Sequence, residues 1–289
     1  MHVTAAVPVE VERALVDAFE LSDTPEGADG IVSMLTTRVD GAFLDRAGPQ
    51  LRVVANYAVG VNNVDLDAAA QRGVLVANTP DVLTRATAEL AVGLMLALLR
   101  RIVEGDRFVR RRAPWEFSLE FMLGSGLDGK RLLVVGAGRI GRETARLAEA
   151  FGAEPRLAGR GDDLRALLGD ADVVSLHVPL TEETRHLIDA PALAAMRPTA
   201  VLVNTARGPI VDERALVAAL EAGTIAGAAL DVYEREPEVE EGLLALENVV
   251  LTPHLGSATR DTRVAMGMLC VEALRAVLLD GRRPANAVG

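Results

Sequence analysis

The chain has 289 residues, of which 50% are hydrophobic and 25% charged, with a formal net charge of −11. That length buries a sizeable core and favours two domains, and the ordinary apolar and charged fractions argue against disorder. One cysteine, Cys270, excludes an intrachain disulfide and a CxxC metal or redox site, and the acidic balance argues against a general nucleic-acid footprint.

In chain order, His2–Val7 reads as a strand and Val9–Phe19 as an amphipathic helix. Strands follow at Gly30–Leu35, Leu51–Asn56 and Val74–Asn78. Met1–Glu12 lacks a basic region or a long apolar run, so no signal peptide and a cytoplasmic location are expected. The apolar stretch Leu90–Leu99 is about half a membrane span and ends at Arg100-Arg101, which favours a buried helix. It falls within one helix expected from Thr84 towards Arg112, at about 28 residues long for a globular protein.

A second series opens after the polar Gly124–Lys130 connection. Strands are expected at Arg131–Val135, Glu154–Ala158, Ala171–Val178, Ala200–Asn204, Ile225–Val232 and Asn248–Leu251. Helices are expected at Ile140–Phe151, Asp162–Leu168 and Arg260–Asp280. Strands separated by helical patterns imply an α/β protein with parallel sheets and crossover helices.

Gly136-Ala-Gly138-Arg-Ile-Gly141 is a GxGxxG pattern that leaves an apolar strand and enters a helix, the context in which it signals a dinucleotide site. Gly136 permits the turn, Gly138 admits a pyrophosphate, and Gly141 lets helix and strand pack closely. The next strand ends in Ala158-Gly159-Arg160-Gly161, without the acidic residue that would bind ribose hydroxyls. Arg160 is placed to pair with a 2′-phosphate, so NADP(H) is expected over NAD(H), with Asp162 the alternative ribose partner.

Three further strands end at Arg207, Glu236 and His254. Ligands of open α/β sheets bind beyond the carboxyl ends of the strands, so these side chains can converge. Reduction of a 2-oxo acid needs a proton donor, for which His254 fits, with Glu236 orienting it and Arg207 clamping the carboxylate. The one lysine, Lys130, lies in a polar turn, which all but removes Schiff-base chemistry.

These motifs, with Asn56–Asp65, Asn78–Leu83 and Gly105–Val109, resemble the D-2-hydroxyacid dehydrogenases over nearly the whole chain. Within them the glyoxylate/hydroxypyruvate reductases are the most similar branch. The resemblance implies reduction of a small 2-oxo acid to the D-2-hydroxy acid. The alternatives are a 3-phosphoglycerate or D-lactate type dehydrogenase, or a dinucleotide-sensing corepressor-like scaffold. It implies Arg207, Glu236 and His254 as the catalytic set. Val59 and Gly60 would offer backbone N–H groups to the substrate carboxylate, with Met34 and Leu35 across the pocket. Ala137, Arg139, Ile140, Gly159, Gly161, Thr205, Ala206 and Gly256 would line the cofactor, with Thr87 and Asp231 near the nicotinamide.

The implied architecture is two doubly wound parallel-sheet domains, with a Rossmann domain (96–257) inserted in a flavodoxin-like substrate domain (1–95 and 258–289). A homodimer through the nucleotide domains is also implied, with no membrane or nucleic-acid partner. Against that pattern the segment between Val16 and Gly30 leaves little room for an extra strand and helix. The segment between Arg160 and Asp170 lacks most of a third Rossmann strand. Four scattered histidines do not make a metal site. His177 reads as a wall of the cofactor crevice and His186 as a surface residue. Trp115 and Phe117 either cover the substrate pocket or pack at a domain interface.

Overall fold

The computed structural model describes residues 1–288. The chain divides into two compact units, Met1–Leu83 with the segment from Ser257 onward, and Thr84–Gly256. The first unit opens with β1 (His2–Val3), α1 (Val9–Val16), β2 (Gly30–Ser33), α2 (Gly41–Ala47), β3 (Val53–Asn56), α3 (Leu66–Gln71) and β4 (Leu75–Ala77). The second unit runs through α4 (Thr84–Leu99), α5 (Ile102–Arg110), β5 (Arg131–Val135), α6 (Arg139–Glu149), β6 (Glu154–Ala158), α7 (Leu164–Asp170) and β7 (Val173–Leu176). It continues with α8 (Ala190–Ala195), β8 (Val201–Asn204), α9 (Glu213–Glu221), β9 (Gly227–Leu230), α10 (Glu241–Leu244) and β10 (Val249–Leu251). The chain then returns to the first unit as α11 (Arg260–Leu278) and β11 (Ala287–Val288).

The first sheet has the order β1-β2-β3-β4-β11, and the second β10-β9-β8-β7-β5-β6. The second is parallel throughout. The first is mixed rather than all parallel, because β11 pairs antiparallel with β4. Asn286 fixes that return, its side chain donating to the Asn78 carbonyl at 2.6 Å while its own carbonyl accepts the Asn78 N–H.

Buried strands explain the sequence pattern. All four residues of β2, β3, β7, β8 and β9 are buried, so they read as short apolar runs instead of alternating ones. Five helices start from an aspartate whose carboxylate accepts the N–H three residues on: Asp40, Asp65, Asp163, Asp189 and Asp212. Each such cap contributes about 1 kcal/mol.

The helix expected as one piece from Thr84 towards Arg112 is two. The Leu99 carbonyl accepts the Ser125 N–H, and Arg101 adopts a left-handed backbone (φ 53°) that turns the chain into α5. The expected boundary at residue 95 falls inside α4, which packs in one piece on α6 and the second sheet. Among the described residues no helix is long and apolar enough to cross a membrane.

In the first unit α11 packs on β3 and α1, and Gly267 makes the approach possible. A Cβ there would overlap the Tyr57 hydroxyl and Val11. The Tyr57 hydroxyl in turn donates to the Arg263 carbonyl, one turn earlier on the same helix. Gly267→Ala is therefore expected to destabilise the protein by about 1–3 kcal/mol through overpacking. Urea denaturation checks this, and an unchanged midpoint would show that the contact yields freely.

Candidate active site

A parallel sheet delivers the carboxyl ends of all its strands to one edge, and in the second unit Arg207, Glu236 and His254 follow β8, β9 and β10 in the loops there. Asn204 closes β8 and shapes the first loop, donating to the Arg207 carbonyl at 2.9 Å and accepting the Ala206 N–H at 3.0 Å. This turns Arg207 outward from the strand end, where its Nη1 also donates to the Ala206 carbonyl. Burial lowers the Arg207 pKa and the Glu236 charge opposes that shift, so the two side chains feel each other directly.

After β9, Asp231 is fully buried. Its Oδ1 accepts Thr252 Oγ1 at 2.7 Å and the Leu255 N–H at 2.6 Å, and its Oδ2 accepts the Gly256 N–H at 2.8 Å. Its carbonyl takes the His254 N–H at 2.8 Å. Tyr233 Oη adds a bond to the Thr252 carbonyl at 2.9 Å. The loop after β10 is thus clamped by the loop after β9.

That clamp presents His254 to Glu236. His254 Nδ1 donates to Glu236 Oε2 at 2.8 Å, and Glu236 Oε1 accepts the Tyr233 N–H at 3.0 Å. Burial of Glu236 favours its neutral form. The hydrogen bond and charge of His254, the Tyr233 N–H and the Arg207 charge outweigh that burial, and the carboxyl stays below its usual range. Because an ionised carboxylate only accepts, the proton of this pair lies on Nδ1, and Nε2 is free for a reacting atom.

The dinucleotide loop lies on the same edge. Gly136 has φ 111°, and a Cβ on Gly141 would overlap the Gly136 carbonyl, so strand, turn and helix pack as the motif requires. A Cβ on Gly138 would meet nothing within 4 Å, which leaves room for a phosphate to approach. Gly138 caps α6 without a side-chain bond, and a helix N-terminus of this kind favours an anion. A cavity of about 660 Å³ opens here, lined by Gly136, Ala137 and Gly138 and by Gly159, Arg160 and Gly161. Thr205 Oγ1 is buried with no partner among the described residues. Gly256 lies against both Thr87 and Asp231, which brings three residues from distant parts of the chain to one point. A glycine cradle, an uncapped helix start and an orphaned hydroxyl fit a nicotinamide dinucleotide.

Several residues here escape a reading of the sequence. Glu183 and Thr181, in the turn after Pro179, line the same cavity. Thr181 first, then the backbone N–H of Glu183 and the Arg160 charge, hold the Glu183 carboxyl below its usual range. A Thr-Glu-Glu-Thr turn after a strand is the available signal. Asp162 turns back onto the Gly159 N–H at 2.8 Å, leaving Arg160 as the exposed polar group at the end of β6. His177 also lines the cavity, and burial pushes its pKa down to about 4, so it is a neutral wall. Arg139 and Ile140 form the first turn of α6 rather than the cavity lining.

In the first unit, Met34-Leu35 follow β2 and Val59-Gly60 follow β3. Asn56 and Asn63, both within the Asn56–Asp65 motif, organise the two loops. Asn63 Nδ2 donates to the carbonyls of Met34 and Thr37, each at 3.1 Å, and to Asn56 Oδ1 at 3.0 Å. Asn56 Nδ2 donates to the Gly60 carbonyl at 2.9 Å, and Asn78 Nδ2 to that of Val59 at 2.8 Å. Among the described residues no acceptor meets the N–H groups of Val59 and Gly60.

Residues 92–256 match the family model for D-isomer specific 2-hydroxyacid dehydrogenase, NAD binding domain. The glyoxylate reductase of Thermococcus litoralis is 46% identical over 279 residues, which cover 90% of this chain and 83% of that protein. That of Pyrococcus furiosus is 44% identical over 285 residues, covering 93% and 84%. A Thermus thermophilus protein of known structure is similar over 100% of this chain and 99% of its own, with TM-score 0.93 and 42% identity. The NADPH-dependent glyoxylate/hydroxypyruvate reductase of Sinorhizobium meliloti, solved with NADP and malonate, has TM-score 0.86 and 36% identity, covering 100% and 96%. The chain belongs to the D-isomer specific 2-hydroxyacid dehydrogenases.

Proposed function

We propose that the protein reduces glyoxylate or hydroxypyruvate to the D-2-hydroxy acid at the expense of a reduced nicotinamide dinucleotide. The observation that carries this reading is the His254–Glu236 pair in the field of Arg207, on the same sheet edge as the glycine cradle. The bound dinucleotide supplies the hydride. Arg207 holds the substrate carboxylate and polarises its carbonyl, and His254 Nε2 delivers the proton to the carbonyl oxygen. Glu236 keeps the His254 ring oriented, with Nδ1 as the donor to its carboxylate and Nε2 towards the substrate. Val59 and Gly60 offer their N–H groups to the carboxylate, and Met34 and Leu35 form an apolar wall. The relatives named for glyoxylate reduction support this substrate class over a phosphoglycerate or lactate substrate.

Loss of nicotinamide absorbance with glyoxylate, hydroxypyruvate, pyruvate and phosphohydroxypyruvate tests the activity, and no turnover of any of them would sink it. His254→Ala is expected to lower kcat on the order of 10²-fold or more, as for loss of a general acid. Arg207→Ala is expected to raise the substrate KM and lower kcat together.

We assign NADP(H) as the preferred cofactor, held by Gly136–Gly141, Gly159–Gly161, Thr205, Ala206 and Gly256. Arg160 is exposed at the end of β6, and the carboxylate of Asp162, three residues from Gly159, accepts the Gly159 N–H. Arg160→Ala is expected to raise the KM for NADPH about tenfold and leave that for NADH nearly unchanged, the loss of one charge-assisted contact. Equal KM values for NADPH before and after would reject the assignment.

We also propose a homodimer formed through the segment from α5 to Leu123. Phe117 and Leu119 are 82% and 84% exposed, and Val109, Trp115 and Leu123 lie open beside them. Trp115 stacks on Phe121, which meets Phe108 edge-on, so the segment after α5 packs back on that helix. Exposed apolar side chains concentrated in one segment point to an association site, and a second copy of the chain supplies a matching one. Phe117→Glu with Leu119→Glu is expected to halve the mass measured by light scattering. An unchanged mass would place the contact elsewhere.

A further inference from the structure

Glu236 stands in a stretch between β9 and α10 without regular secondary structure, yet its position decides where His254 lies. His254 holds it from one side. On the other side is a second histidine, His186, which the reaction does not require. Its ring Nε2 donates to Glu234 Oε1 at 2.6 Å, two residues before Glu236. Its backbone N–H donates to the Pro209 carbonyl at 2.8 Å, two residues after Arg207. His186 adopts φ 50°, a left-handed backbone that a non-glycine residue rarely takes without support.

Glu234 is fixed at a second point by the start of α9. Its N–H donates to Glu213 Oε1 at 2.8 Å, and Glu234 Oε2 accepts the Glu213 N–H at 3.4 Å. Two carboxylates therefore lie side by side, and Glu213 is buried, its carboxyl raised above the usual range by that burial and by the Glu234 charge. The His186 N–H is the side-chain donor that offsets this repulsion on the Glu234 side. Gly208 closes the arrangement, since a Cβ there would overlap the Tyr233 carbonyl and the Glu234 nitrogen. The Arg207 and Glu236 loops are thus in direct backbone contact, and His186 spans both.

We propose that His186 is a positioning residue for the reaction, acting through Glu234 on the loop that carries Glu236. This rests on the assignment of Glu236 and His254 as the proton-handling pair. Without the imidazole, Glu234 turns from Glu213 towards solvent and takes Tyr233–Glu236 with it. A small displacement of a catalytic group is enough to slow chemistry while leaving the dinucleotide cavity untouched.

His186→Ala is expected to lower kcat roughly tenfold and leave the cofactor KM within about twofold of wild type. His186→Gln, which keeps a donor nitrogen at nearly the same reach as Nε2, restores kcat to within about twofold. In a Glu236→Gln background, His186→Ala causes no further loss, because the group it positions is already disabled. Glu234→Ala is expected to reproduce His186→Ala and carries the same comparison if that variant does not fold. Wild-type kcat in His186→Ala or Glu234→Ala, beside an impaired Glu236→Gln, overturns this inference alone. An equal further loss in the Glu236→Gln background does so too. Wild-type kcat in Glu236→Gln overturns the site assignment and this inference with it.

Discussion

The site depends on one buried carboxylate. Asp231 ends β9 with no exposure to solvent, a position where a charge is costly unless hydrogen bonds replace water. Burial raises its pKa, and three donors from the loop after β10 oppose the shift. Those donors are all met as Thr252–Gly256 folds over the strand end. His254 then takes a left-handed backbone at φ 55°, a conformation that costs about 1–2 kcal/mol for an ordinary residue. The bond from its N–H to the Asp231 carbonyl helps to hold it there. One residue thereby sets both the path of the loop and the direction of the imidazole.

From that anchor, charge distributes outward in alternation. The His254 charge reaches Asp231 on one side and Glu236 on the other, and Glu236 in turn faces the Arg207 charge. His254 and Arg207 together hold the Glu236 carboxyl low against the burial that would raise it. A bound 2-oxo acid adds a carboxylate, and Arg207, whose pKa burial lowers and only Glu236 raises, has the least balanced charge. The same reasoning explains why His177 is not a second acid. It is buried without a carboxylate, and a charge on it would have nothing to offset it.

Much of this is legible in the sequence because parallel α/β units put their chemistry at strand ends. Gly136–Gly141, Arg207, Glu236 and His254 each follow a buried apolar run, so their shared edge is deducible from the order of residues alone. The short helices α2, α3, α8 and α9 are not legible in that way. Each is too brief for a 3.6-residue period to stand out, although their caps, Asp40, Asp65, Asp189 and Asp212, are present as signals. The break between α4 and α5 is hidden for another reason. It depends on the Leu99 carbonyl bonding Ser125, a contact between residues far apart in sequence. His186 is similar: a histidine that reads as a surface residue gains meaning only when Glu234, 48 positions later, comes beside it.

The two short segments have one structural explanation. A flavodoxin-like sheet has the order 2-1-3-4-5 and a Rossmann sheet 3-2-1-4-5-6. Removing the outermost strand beside the first strand gives β1-β2-β3-β4 in one unit and β6-β5-β7-β8-β9 in the other, where β10 is added at the opposite edge. Both losses are therefore at an edge, where a strand has one neighbour and its removal breaks a single ladder. In the first unit Ser22 still makes an isolated parallel bridge to His2. In the second, β6 carries Glu154, Pro155 and Arg156, charges and a proline that suit an edge. Glu154 donates inward to the Lys130 carbonyl, so the next residue, Pro155, has its nitrogen facing outward, where no N–H is needed. The proline in the strand already marks β6 as terminal. With no strand beyond it among the described residues, Leu164, Thr181 and Glu183 form the far wall of the dinucleotide cavity. Arg160 lines that cavity from the end of β6, with no third strand opposite it among the described residues.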